Sequence, residues 1–174
     1  MAMFKVNTGC REQEVCKLQW DWAGVKNRDE RLVVMNDVVK SVLERQRGKH
    51  PLFVFPFGKP VGEGNETTVH RMNDSGWKKA RIRAAKKWQE KYLRPAHDGF
   101  LRIRIHDLKH TFGRRLRATG VTEEDRKALL RHKNGSITSH YSGAELGHLI
   151  EAANMISATD SRGPVLTILK RKQA

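Results

Sequence analysis

The sequence predicts a mainly α-helical domain with a small antiparallel β-sheet near its N-terminal third. Three observations carry that expectation. Apolar residues recur at helical spacing in several separate segments, most plainly Leu108, Phe112 and Leu116. Apolar runs of strand type are few and short, confined to residues 31–35 (RLVVM) and 52–55 (LFVF). The chain has 174 residues, 38% of them hydrophobic, which suits one core of ordinary domain size.

Taken in order, the chain shows no apolar period before Arg11, so no element is predicted there. Residues 12–19 (EQEVCKLQ) read as a short helix with Val15 and Leu18 on one side; Gly9 supplies a tight turn ahead of it, and Trp20-Asp-Trp22 closes it. Residues 31–35 read as a strand. Asn36 then caps a helix carrying Val38, Val39, Val42 and Leu43, with Gly48 as its stop. Residues 52–55 read as a short buried strand or extended segment. Residues 56–68, with two prolines and three glycines, read as a loop. Ser75 caps a helix to about Tyr92, with Trp77, Ala80, Ala84 and Trp88 as its buried stripe. Lys78, Lys79, Arg81, Arg83, Lys86 and Lys87 crowd its other faces, either as a solvated surface or as a face that tracks a phosphate backbone. The helix containing Leu108 ends at Gly120. Thr122-Glu-Glu-Asp125 resembles a capping box and opens the next, with Ala128, Leu129 and Leu130 apolar. Leu146, Leu149, Ile150, Ala153 and Ile156 mark a last helix. Residues 1–160 are read as one domain. Residues 161–174 are read as a tail whose apolar Val165–Leu169 packs back on the body or on a neighbouring subunit.

Charge narrows the partner. Lysine and arginine number 34 against 19 acids, giving a net charge of +15 and a pI near 10.3. Such an excess points to a polyanion, nucleic acid first, over a ribosomal-type or merely soluble basic surface. It gives affinity for phosphates but no base specificity. No apolar run approaches the ~18 residues of a membrane span, and Met1–Val6 has no secretory h-region. A cytoplasmic, nucleoid-associated location in a prokaryotic cell is expected. Cys10 and Cys16 stand six apart without other ligands beside them, and read as buried or idle thiols in a reducing compartment.

Four stretches set polar residues where a core helix does not need them: Thr8–Glu14 (TGCREQE), residues 25–32 (VKNRDERL), residues 106–111 (HDLKHT), and Leu129–His132 (LLRH) followed by residues 139–142 (SHYS). Together they resemble the tyrosine recombinase (phage integrase) family. TGCREQEVCKLQW over residues 8–20 matches every fixed place of that family's T-G-x-R-x-x-E-x-x-x-L-x-W pattern. HDLKHT stands against H-x-L-R-H-T. Tyr141 follows His132 by nine residues, the family's interval between its L-L-G-H and its tyrosine. The likeness runs from about Thr8 to Ala153.

The resemblance implies a tyrosine-recombinase-like catalytic domain. Its activity would be site-specific recombination, integration or excision, through a covalent 3′-phosphotyrosyl intermediate and without metal or other cofactor. Tyr141 would be the nucleophile, Arg11 the clamp on the scissile phosphate, Lys26 the general acid and His106 an aid to proton transfer. His132 would bond a phosphate oxygen, and Lys109 would occupy the place of a second arginine. Arg114, Arg115, Arg131, Lys78 and Lys79 would contact DNA, with Glu14, Asp107 and His110 supporting the site. The partner would be a double-stranded attachment site, held by a homotetramer in the full-length protein, with this fragment monomeric.

The chemistry is intelligible without the family. A tyrosine phenolate that stays bonded to phosphorus keeps the phosphodiester energy for rejoining. Guanidinium and imidazole donors stabilise the charge gathering on the non-bridging oxygens. A lysine can protonate the departing 5′-oxygen. Each residue also has a plainer reading: Tyr141 as a helix-surface tyrosine, Arg11 as a partner of Glu14, Lys26 as one lysine among many. His106 and His110 at i, i+4 have metal-ligand spacing, but no zincin glutamate follows and no third ligand is evident.

The chain departs from the family at Lys109, which replaces a bidentate arginine with a point charge, and at Arg131, which replaces a glycine. Only five residues separate Trp20 from Lys26, where a longer strand and turn is usual. The short stretch before Thr8 leaves no room for the family's N-terminal core-binding domain, so this chain is expected to be the catalytic domain alone. Two other readings stay open: a catalytically weak or inactive DNA-binding relative, and a type IB topoisomerase-like enzyme.

Overall fold

The computed structural model describes residues 1–21, 33–57, 67–72, 75–130 and 143–158. The chain is mainly helical there. The elements are α1 (Ala2–Thr8), α2 (Glu12–Cys16), α3 (Asp37–Glu44), β1 (Pro56–Phe57), β2 (Thr67–Thr68), α4 (Ser75–Tyr92), a 3₁₀ turn (Asp98–Arg102), α5 (Asp107–Ala118), α6 (Glu123–Leu130) and α7 (Gly143–Ala158).

α5 is the spine of the fold. Its four-residue stripe buries Phe112 and Leu116 fully and Leu108 in part, as its period predicts. Ile105 and Leu108 sit in a first core with Phe4, Val15, Val39 and Val54. Phe112 and Leu116 sit in a second with Leu129, Leu149, Ala153 and Ile156 of α6 and α7. One helix therefore joins two apolar clusters, and its first turn lies over the first of them. Gly120, at φ +78°, ends the segment in the left-handed region where glycine carries no Cβ penalty.

α1 is an element that the apolar period does not reveal. Phe4 is buried against Phe55, ring centroids 5.8 Å apart. Lys5, Asn7 and Thr8 are buried as well, which hides the amphipathic signal. They are tolerated because each finds a backbone acceptor: Thr8 Oγ1 donates to the Phe4 carbonyl, Asn7 Nδ2 to Met3, and Lys5 Nζ to Cys10. α1 packs on α5 and on α3.

The sheet differs from expectation. Residues 33–36 form no strand; residues 31 and 32 lie outside the described residues. The alternation in this run is real, since Val33 and Met35 pack on the first core and Val34 on the second, but it serves an extended connection between two cores. Strand pairing among the described residues is the two-residue antiparallel pair β1–β2 and one bridge between Gln19 and Phe53. The bridge forms because the chain after α2 runs back along residues 52–54, with Trp20 N–H on the Leu52 carbonyl and Val54 N–H on that of Leu18. The predicted helix over 12–19 accordingly stops at Cys16.

Asn36 caps α3 by accepting the Val39 N–H at 3.0 Å. Its amide also donates to Asn7 Oδ1, the Ala153 carbonyl and Ser157 Oγ, and Asn154 Oδ1 accepts the Asp37 N–H. One buried asparagine thus ties α1, α3 and α7. α4 spans the predicted range, but its half-buried stripe is Trp77, Ala80, Arg81, Ala85 and Trp88. Ala84 is exposed, because a 3.6-residue period carries the stripe on to Ala85. Thr122 Oγ1 accepts the Asp125 N–H at 3.1 Å and opens α6 as its pattern predicts.

Gly9 holds φ +63°, and a Cβ there would lie 2.9 Å from Phe112 Cδ1 and 3.2 Å from Leu130 Cδ2. Gly9→Ala combines left-handed strain with overpacking, and is expected to cost about 2–4 kcal/mol. Thermal unfolding should show a melting point lower by roughly 5–15 °C.

Candidate active site

The Thr8–Arg11 segment is a tight turn held from four sides. Gly9 N–H donates to the Lys5 carbonyl at 3.0 Å. Cys10 N–H donates to Thr8 Oγ1 at 3.3 Å, and Lys5 Nζ to the Cys10 carbonyl at 2.6 Å. The Glu14 carboxylate accepts the Arg11 N–H from one turn along α2. Glu12 Oε1 accepts the Met72 N–H, and Gln13 Nε2 donates to the His70 carbonyl, so α2 is pinned to the chain before α4. With the backbone fixed, the Arg11 residue stands exposed at the start of α2.

The second turn to be placed is the start of α5. Trp77 Nε1 and Arg81 Nη1 of α4 both donate to the Ile103 carbonyl at 2.9 Å. This braces the chain just before His106. Asp107 accepts the Arg104 N–H at 2.8 Å and its guanidinium at 3.2 Å. These bonds, the backbone one first, hold the Asp107 carboxyl below the usual carboxylate range. A depressed pKa means that this Asp107–Arg104 brace is at full strength at neutral pH and weakens only as pH falls through the carboxylate range. His106 and His110 are exposed and meet edge to face, centroids 4.7 Å apart. No third metal-ligating side chain joins them among the described residues.

A groove of about 700 Å³ opens beside this turn, between α5 and α6. His106, Lys109, His110, Gly113, Arg114 and Arg117 line it from α5; Glu123, Arg126, Lys127 and Leu130 line it from α6. Five cations face one acid, and Lys127 Nζ engages that acid at 2.8 Å. Gly113 lets the helices approach, since a Cβ there would lie 3.0 Å from Leu130 Cδ1. The Arg11 turn reaches the same helix through the contact of Gly9 with Phe112. The charge of Lys109 is felt at Lys5, whose ammonium holds the carbonyl preceding Arg11.

Of the residues predicted from sequence, the groove gathers His106, Lys109 and Arg114. Arg115, one residue on, is not among its lining residues, and Lys78 and Lys79 stand exposed on α4. Lys26, Arg131, His132 and Tyr141 lie outside the described residues; Leu130, two residues before His132, lines the groove. Sequence reasoning missed Arg117, Arg126 and Lys127. For Arg117 the signal was present: His106, Lys109, His110, Gly113, Arg114 and Arg117 recur at i, i+3, i+4, i+7, i+8 and i+11, a stripe beside the apolar one.

The sequence profile described as the phage integrase family matches residues 1–146. The chain belongs to the phage integrase family. No curated protein and no solved structure matches it. Phage integrase family proteins act on DNA in site-specific recombination. The match takes in α1, the helix that carries no visible period, and reaches the start of α7. No described helix of this phage integrase family chain is long and apolar enough to cross a membrane. If the groove lies on the DNA backbone, Arg114→Ala weakens binding to all duplex sequences alike. Fluorescence anisotropy between 50 and 200 mM salt should show the slope of log affinity against log salt falling by about 1.

Proposed function

We propose that the chain cleaves and rejoins DNA at a specific site through a phosphotyrosyl link, as a site-specific recombinase. The Tyr141 hydroxyl gives up its proton, with His106 assisting, as its oxygen attacks the scissile phosphorus and bonds to it; the bond from phosphorus to the 5′-oxygen breaks, and Lys26 gives that oxygen a proton. Arg11, Lys109 and His132 stabilise the charge on the non-bridging oxygens, and His106 aids proton transfer. Positive side chains supply the role that metal ions fill elsewhere, so the step needs none. Rejoining reverses the sequence with a 5′-hydroxyl from a second duplex, within a tetramer on the attachment site.

The observation that carries this reading is the meeting of two motifs far apart in sequence. The Arg11 turn packs on α5 through Gly9, and α5 presents His106 and Lys109 to a cationic groove. An ordinary basic helix pair gives no reason for the arginine turn to be built so tightly against it.

The test is a nicked duplex of the attachment sequence that loses its short 5′-hydroxyl strand on cleavage and so traps the adduct. The protein is incubated with it in EDTA and run on a denaturing protein gel. A slow, nuclease-sensitive band supports the recombinase. DNA binding without the band favours the inactive DNA-binding relative, and Lys109 is the feature that speaks for it. Plasmid relaxation without exchange between duplexes favours the topoisomerase-like activity.

A further inference from the structure

Lys5 is the most deeply buried cation among the described residues, at 1% exposure, and no catalytic role assigned above uses it. It stands between Phe4 and Val6 in α1, against the first core. Burying an ammonium works against folding unless its bonds compensate. Desolvation accordingly pulls the Lys5 pKa below the usual lysine value. An apolar residue of the same length would fill this place at less cost.

What Lys5 holds is specific. Its ammonium donates to the Cys10 carbonyl at 2.6 Å, and its own carbonyl accepts the Gly9 N–H at 3.0 Å. It therefore grips both residues that precede Arg11. The charged groups acting on it are Glu12 and Glu14 of α2 and Lys109 of α5, with the Cys10 thiol beside them. Its bond to the Cys10 carbonyl thus sets a buried charge on the residue next to Arg11.

We propose that Lys5 is a positioning residue that fixes the Arg11 turn for its phosphate, an inference that rests on the reading of Arg11 as a phosphate ligand. Lys5 touches no reacting atom. It acts by restricting the backbone from which the guanidinium projects, and such placement is worth about 10–100-fold in rate when an ångström is lost.

The test compares the full chain with Lys5→Met and Lys5→Arg. Methionine keeps length and packing but removes donor and charge; arginine keeps both. Lys5→Met should melt no lower than the wild type. It should exchange the backbone amides of residues 8–15 faster, with α4 and α7 unchanged. At saturating nicked duplex it should form the covalent adduct about 10–100-fold more slowly, with DNA affinity within about twofold. Lys5→Arg should restore rate and protection to within a few-fold. A packing role predicts the opposite order, with methionine tolerated and arginine damaging.

Unchanged exchange at residues 8–15 in Lys5→Met overturns the proposal, as does a wild-type rate or a variant that does not fold. A wild type that forms no adduct counts against the recombinase reading instead, and Lys5 is then decided by the exchange of residues 8–15 alone.

Discussion

Tyr141→Phe is expected to abolish the covalent protein–DNA adduct while leaving duplex affinity within about a factor of two. The substitution removes one oxygen and keeps the ring, so the net charge is unchanged. On the proposed function that oxygen is the whole of the covalent route: without it, no group holds the phosphoryl while the strands exchange. Loss of a nucleophile typically lowers turnover by about 10⁴-fold or more. The gel that traps the wild-type adduct should show no band for this variant even after overnight incubation. An adduct that persists would move the nucleophile to another side chain.

Arg11→Ala carries the second large effect, a fall of about 10²–10³ in the rate of adduct formation at saturating DNA. The turn that presents Arg11 is fixed by bonds within the chain through Lys5, Thr8, Gly9 and Glu14. On the proposed function, this fixed backbone carries the guanidinium that meets the charge developing at phosphorus, and truncating the side chain removes that stabilisation. The bonds that hold the turn involve backbone atoms of residues 9–11, so the variant should melt within a few degrees of the wild type. Arg11→Lys should recover only part of the rate, because a point charge lacks the bidentate fork. Single-turnover kinetics on the nicked duplex separates these outcomes from a defect in binding.

The elements legible in the sequence are those with a long apolar period. α4, α5 and α7 fall where their stripes place them, and Asn36 and Thr122 cap where side-chain chemistry says. α1 escaped because buried Lys5, Asn7 and Thr8 interrupt its apolar pattern. The strand expected over 31–35 failed at residues 33–35 for a related reason: alternation records two packing surfaces as readily as a pleated sheet. In the candidate site, residue types tied to phosphate chemistry marked His106 and Lys109, which line the groove, and Arg11, which does not line it but stands exposed on the turn packed against the same helix. The groove cations were harder to see. Adjacent residues on a helix point about 100° apart, so Arg114 and Arg115 look equivalent in sequence, while only the first lines the groove. Arg126 and Lys127 join it through the packing of α6 on α5, which no local pattern encodes.

Leu130 faces both of the close-packed glycines: its two methyl groups limit what can stand at position 9 and at position 113. Substitutions at 113 and 130 are therefore expected to be coupled. A lineage that acquires alanine at position 113 should carry a smaller residue at 130, and one that enlarges 130 should keep glycine at both. Position 9 has less latitude, since its left-handed backbone favours glycine whatever 130 becomes. Compensating exchange should thus appear between 113 and 130, while 9 stays constant.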